Sequence, residues 1–127
     1  MLRCALATLA AMLLVPLAHA QTHRNFPPQA LRGELIVAEP PAAAMNGQPA
    51  RLAPGARIRG ENNMLVTPAS LSGRKLVVHY TRELNTGLLM DVWVLNATEL
   101  ARKPWPVNDE QARAWRFDPI GQTWSKP

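Results

Sequence analysis

The two residues of this sequence best suited to acid–base chemistry, His79 and Asp91, lie a dozen positions apart in LVVHYTRELNTGLLMDVWVL, residues 76–95. A histidine oriented by a carboxylate is the usual activator of a hydroxyl or thiol nucleophile. Taken as a hairpin with a loop from Glu83 to Gly87, the stretch opposes Tyr80 with Met90, Val78 with Val92 and Leu76 with Val94 on one apolar face. The other face opposes Thr81 with Leu89, His79 with Asp91, Val77 with Trp93 and Lys75 with Leu95. Side chains alternate with period two, so a one-residue slip would spoil the apolar face, and this register is favoured over its neighbours. It predicts His79 and Asp91 directly opposed on the less buried face, about 4.5–5.5 Å apart at Cβ.

Two readings follow from that placement. In one, His79 and Asp91 form a dyad at the centre of a hydrolase or metal-handling protein. In the other they are a cross-strand pair contributing roughly 0.2–1 kcal/mol, and the rest of the chain favours this one. There is no G-x-S-x-G elbow to supply a nucleophile. His23 and His79 are the histidines expected to survive processing, without H-x-H or H-x-x-x-H spacing, which is too little for zinc. Met45, Met64 and Met90 could join histidine around copper(I), but Met90 is expected on the core face. No metal site, cofactor or catalytic residue is therefore expected.

The compartment is set by the first twenty residues. Arg3 supplies a positive charge, Ala5 to Leu17 is almost wholly apolar, and Ala18-His19-Ala20 ends in small residues ahead of Gln21, the pattern of a secretory signal peptide. The apolar run is too short to span a membrane and gives way directly to polar sequence, so a periplasmic or secreted product is expected, with no membrane span. Cleavage after Ala20 of a 127-residue chain leaves 107 residues; it removes Cys4, the lone cysteine, and takes the formal net charge from +5 to +4 with Arg3. Disulfides, thiol nucleophiles and thiolate metal sites are thereby excluded from the mature chain.

The elements that must position these side chains read as follows. Residues 21–30, with two prolines and no period, form an extended leader. Residues 31–39 are the first strand. Asn46-Gly47 is a two-residue hairpin signal, with arms from Ala43 to Met45 and from Gln48 to Leu52. Pro54-Gly55 marks a turn, residues 56–60 a strand, Glu61-Asn62-Asn63 another turn before residues 64–67, and residues 68–73 a breaker. Close, regular strand spacing predicts a mainly β fold, a small antiparallel barrel or rolled sheet of five or six strands with a short helical C-terminal cap. In that cap, Asn96 with Glu99 three residues later is a capping-box start, and Asn108 caps a second helix reaching Trp115. Lys103-Pro104-Trp105-Pro106 separates the two. The tail turns at Asp118-Pro119 and Gly121, with Phe117, Ile120 and Trp124 free to pack back. The chain thus divides into a signal peptide (1–20), a leader (21–30), a barrel-like domain (31–96) and a cap and tail packed on it (97–127).

Two further groups carry binding chemistry. Arg51, Arg57, Arg59, Arg74 and Lys75 could make a basic face for anionic glycans or phosphates, or simply a solvated surface. Trp93, Trp105, Trp115 and Trp124 are expected to form a second core between the outer face of the hairpin and the cap, although an exposed Trp93 or Trp105 would serve sugar stacking. Asn96-Ala97-Thr98 also matches a glycosylation acceptor.

The elements NGQPARLAPGARIR, LSG and DVWVL, together with the FDPIGQTW tail, resemble a family of small, uncharacterised exported proteins of proteobacteria. More loosely, residues 31–96 resemble small periplasmic β-barrel domains of unknown function. The resemblance implies a barrel in the cell envelope and transfers no catalytic residue. The expected function is a non-enzymatic envelope binding or accessory module whose partner is an envelope protein or an anionic glycan rather than nucleic acid; a structural subunit pairing through a sheet edge is the third alternative.

Overall fold

The computed structural model describes residues 23–127; the predicted signal peptide lies outside the described residues. Six strands form one sheet: β1 (Leu31–Val37), β2 (Ala42–Met45), β3 (Gln48–Arg59), β4 (Leu65–Val66), β5 (Lys75–Arg82) and β6 (Leu89–Val94). Their order is β2-β1-β5-β6-β3-β4, and an additional β2–β3 pairing closes β1, β2, β3, β6 and β5 into a five-stranded barrel, with β4 appended to the end of β3. The pairings between these six strands are antiparallel except β3–β6, which is parallel. A three-strand meander followed by a hairpin inserted between the third strand and the first is the Greek-key closure of OB-type barrels.

Local chemistry explains the elements. Asn46 and Gly47 both take positive φ, 54° and 76°, the requirement of a type I′ turn matching strand twist. The Asn46 side chain then accepts from the Glu34 backbone N–H at 2.8 Å, tying the turn to β1. Pro54-Gly55 is not a turn: β3 runs unbroken through it, with Gly55 at φ 77° and a register shift between Leu52 and Arg57. A strand that leaves β2 and joins β6 around a narrow barrel has to bend, and a bulge with glycine in the left-handed region supplies the bend.

The barrel core contains Leu35, Val37, Ile58, Val78, Leu89 and Val92, all essentially inaccessible. Gly33 also faces inward, and a Cβ there would lie 2.7 Å from the Met45 sulfur and 3.0 Å from the Tyr80 ring. The glycine therefore makes room for those two large side chains.

The cap comprises α1 (Ala97–Leu100), α2 (Asp109–Ala114) and, beyond the two predicted helices, a small hairpin of β7 (Arg116–Asp118) and β8 (Thr123–Ser125). Asn96 and Glu99 form the predicted capping box, and Asn108 caps α2. Under this cap lies a second core of Phe26, Ala30, Leu95, Trp105 and Trp124, with Val77, Trp93, Trp115 and Phe117 packed against it. Ile120, expected to pack back, is 89% exposed at the tip of the β7–β8 turn. The leader is not a free extension: Arg24 and Phe26 are buried in the second core and its polar border.

Candidate functional site

His79 and Asp91 do not face each other. The β5–β6 register pairs Val78 with Val94, His79 with Trp93 and Tyr80 with Val92, and then shifts before Arg82 meets Leu89. The pairing differs by two residues from the predicted one, so the apolar face keeps Val78, Tyr80, Val92 and Val94, and alternation could not have distinguished the two. The bulge puts Leu89 in the core and leaves Met90 half-buried. Asp91 lies beside Thr81, whose hydroxyl is 3.5 Å from its carboxylate, and is paired with Arg57 at 3.3 Å on the next strand.

His79 is only 1% exposed, not on a less buried face. One outer row crosses four strands as Arg32, His79, Trp93 and Arg59, and the second core covers its middle. The imidazole stacks on Trp105 with centroids 4.0 Å apart and meets the edge of Phe26 at 4.4 Å. Its Nε2 accepts from Arg32 Nε at 3.2 Å. Since guanidinium only donates, the ring hydrogen sits on Nδ1, which has no hydrogen-bond partner among the described residues. Burial, reinforced by Arg32, Arg24 and Arg102, pushes the His79 pKa from 6.5 down to about 2. A neutral ring held by arginines is a poor general base in this state.

Beside it, Arg24 is buried against Glu99 in a two-pronged ion pair, Nε to Oε2 at 2.9 Å and Nη2 to Oε1. Its remaining donors reach the carbonyls of Gly60 and Val94, both at 2.8 Å. Glu99 Oε1 also accepts from the Asn96 N–H, while Arg32 donates to the Glu99 carbonyl at 2.8 Å. Sequence alone does not mark Arg24, Arg32 or Glu99 as site residues, nor Gln122, whose side-chain oxygen accepts from the Phe26 N–H at 2.8 Å. Glu99 was visible as a capping residue, but nothing local marks Arg24 as its partner 75 positions away.

The predicted basic face divides. Arg57 is engaged by Asp91, and Arg59 donates to the Asn63 carbonyl at 3.1 Å. Arg74 stands at one end of the barrel. Arg51 and Lys75 border the opposite wall, where a second outer row runs Lys75, Ile36, Ala44, Pro49 across β5, β1, β2 and β3. Ala42, paired with Arg51, extends this shelf. No residue of the shelf belongs to either core, and its side chains are exposed or half-buried. Glu34 lies 3.8 Å from Lys75 at its margin. Of the tryptophans offered for sugar stacking, Trp105 is 4% exposed and donates to the Ala30 carbonyl, so it is a core residue; Trp93 is half-buried beneath Phe26.

Among the described residues, no cluster of three or more His, Cys, Asp and Glu could hold a metal ion, and no helix is long and apolar enough to cross a membrane. No family model, curated protein or solved structure matches the chain.

Proposed function

We propose that this chain is an exported envelope module that binds an anionic glycan along the shelf formed by the outer faces of β1, β2 and β3. The observation that carries the reading is the asymmetry of the barrel wall. The β1-β5-β6 half is sealed by the second core, whereas the β1-β2-β3 half presents the apolar side chains of Ile36, Ala42, Ala44 and Pro49, bordered by Arg51 and by the Lys75–Glu34 pair. An exposed row of short and apolar side chains lets a polymer lie along the strands while flanking cations meet its charges. By analogy of fold alone, OB-type barrels bind oligosaccharides and oligonucleotides on their second and third strands; export selects the glycan. The apolar run ending in Ala18-His19-Ala20 supports that export.

The test is co-sedimentation of the tagged mature protein with peptidoglycan and isolated anionic glycan at low and moderate salt. Retention that survives moderate salt and is lost in Arg51→Glu and Lys75→Glu, but not in Arg57→Glu, is expected. Retention indifferent to Arg51 and Lys75 would overturn the shelf assignment. N-terminal sequencing of protein recovered from the periplasm, expected to begin at Gln21, tests export.

The sheet-edge reading keeps one supporting observation. β4 is a two-residue strand with a free edge, and Met64 and Leu65 beside it are exposed. A concentration-dependent oligomer abolished by Leu65→Lys would favour assembly through that edge.

A further inference from the structure

At one end of the barrel Val66 and the edges of the core residues Leu71, Leu76 and Val94 line a surface cleft of about 410 Å³. Val66 comes from β4, Leu71 from the 3-10 turn of residues Pro68–Leu71, Leu76 from β5 and Val94 from β6, so four separate elements converge on the cleft. Mouths of barrels with apolar walls are common ligand sites, and this volume is near the small end of the range for such pockets. The ligand it suits is a small molecule rather than a polymer.

Two opposite charges line the same cleft, Glu61 and Arg74. They are not paired with each other, and neither side chain forms an ion pair with another described residue. Among the described residues Arg74 is anchored through its backbone, which donates to the Leu71 carbonyl at 3.2 Å. A guanidinium beside apolar walls matches a carboxylate with two parallel hydrogen bonds, and a carboxylate on the same rim accepts from an ammonium. An amphiphile with an anionic head alone would satisfy Arg74 and be repelled by Glu61.

We propose that this end of the barrel binds a free α-amino acid with an apolar side chain. The hydrocarbon or aromatic group lies among Val66, Leu71, Leu76 and Val94, the α-carboxylate meets Arg74, and the α-ammonium meets Glu61. The site is separate from the glycan shelf and does not depend on it.

The experiment is a calorimetric and amide-shift titration of the full mature protein with L-leucine and L-phenylalanine, alongside leucinamide, N-acetyl-leucine and 4-methylpentanoate. Saturable binding of an amino acid, with shifts centred on Val66, Leu71, Leu76 and Val94, is expected. Blocking either charged group should weaken it at least about tenfold, the loss of one charge-assisted hydrogen bond. Arg74→Gln should bind leucine and leucinamide equally, and Glu61→Gln should bind leucine and N-acetyl-leucine equally. Both side chains are exposed, so both variants are expected to keep the parent melting temperature. Absence of saturable shifts at the four apolar residues overturns the proposal, as does binding of 4-methylpentanoate as tight as that of leucine.

Discussion

Arg24 and Glu99, 75 positions apart, are locked together with side chains only 3% exposed. The pair joins the leader to the capping box of α1, and the same guanidinium holds the Gly60 and Val94 carbonyls. Removing one partner strands a buried charge, which costs about 3–5 kcal/mol, whereas replacing both with apolar residues is often close to neutral. Glu99→Ala is expected to lower the unfolding free energy measured by urea titration by that amount, and Arg24→Met combined with Glu99→Leu to recover most of it. A double variant as unstable as the sum of the two singles would deny the coupling.

His79 gives the fold a pH dependence of known sign. Its folded pKa is held near 2 by burial and by Arg32, Arg24 and Arg102, against 6.5 in the unfolded chain. The unfolded state therefore takes up the proton first. The stability due to the neutral ring is complete above pH 6.5 and is lost as pH falls below it toward the folded value. From pH 7 to pH 5, before most carboxylates titrate, the loss is about 2 kcal/mol. Denaturant titrations at the two pH values should show it in the parent and not in His79→Phe, whatever that variant's stability at neutral pH.

Gly33 is required for space rather than for backbone freedom. A methyl group there would press on the Met45 sulfur, the Asn46 side-chain oxygen and the Tyr80 ring. Gly33→Ala is expected to cost about 1–3 kcal/mol as an overpacked site. A melting temperature equal to that of the parent would mean that these neighbours yield without strain.

The tail closes the second core through Gln122, whose carboxamide oxygen accepts from the Phe26 N–H at 2.8 Å while its nitrogen donates to the Pro119 carbonyl. Gln122→Ala leaves a buried N–H unpaired, at about 1–3 kcal/mol. Truncation of residues 104–127, which also removes Trp105 and Trp124, should lower the melting temperature far more. If the truncated chain melted like the parent, the cap would have no part in stability.

These effects show which physics was legible in the sequence. The Asn46-Gly47 turn, the caps at Asn96 and Asn108 and the barrel strands are specified by neighbouring residues, so they could be read locally. Registers separated by two residues present the same alternation, so the β5–β6 bulge that separates His79 from Asp91 left no trace. Pro54-Gly55 has the same composition in a bulge as in a turn. Arg24, Phe26 and Gln122 gain their roles from residues 75 to 96 positions away, and no periodicity reports such contacts. The shelf is half visible in sequence: five basic residues are plain, but only the closed topology shows that Arg57 and Arg59 are held away from the open wall while Arg51, and Lys75 with its partner Glu34, border it.

The docking of the leader also fixes an order of events. Arg24 waits for Glu99, and Phe26 for Gln122, so a chain delivered N-terminus first exposes its opening segment long before the partners of that segment arrive. The second core can then be completed only once the final residues have emerged. Contacts of such wide separation close slowly, so the clasp between the leader and the tail is the part of the fold that cannot fasten early.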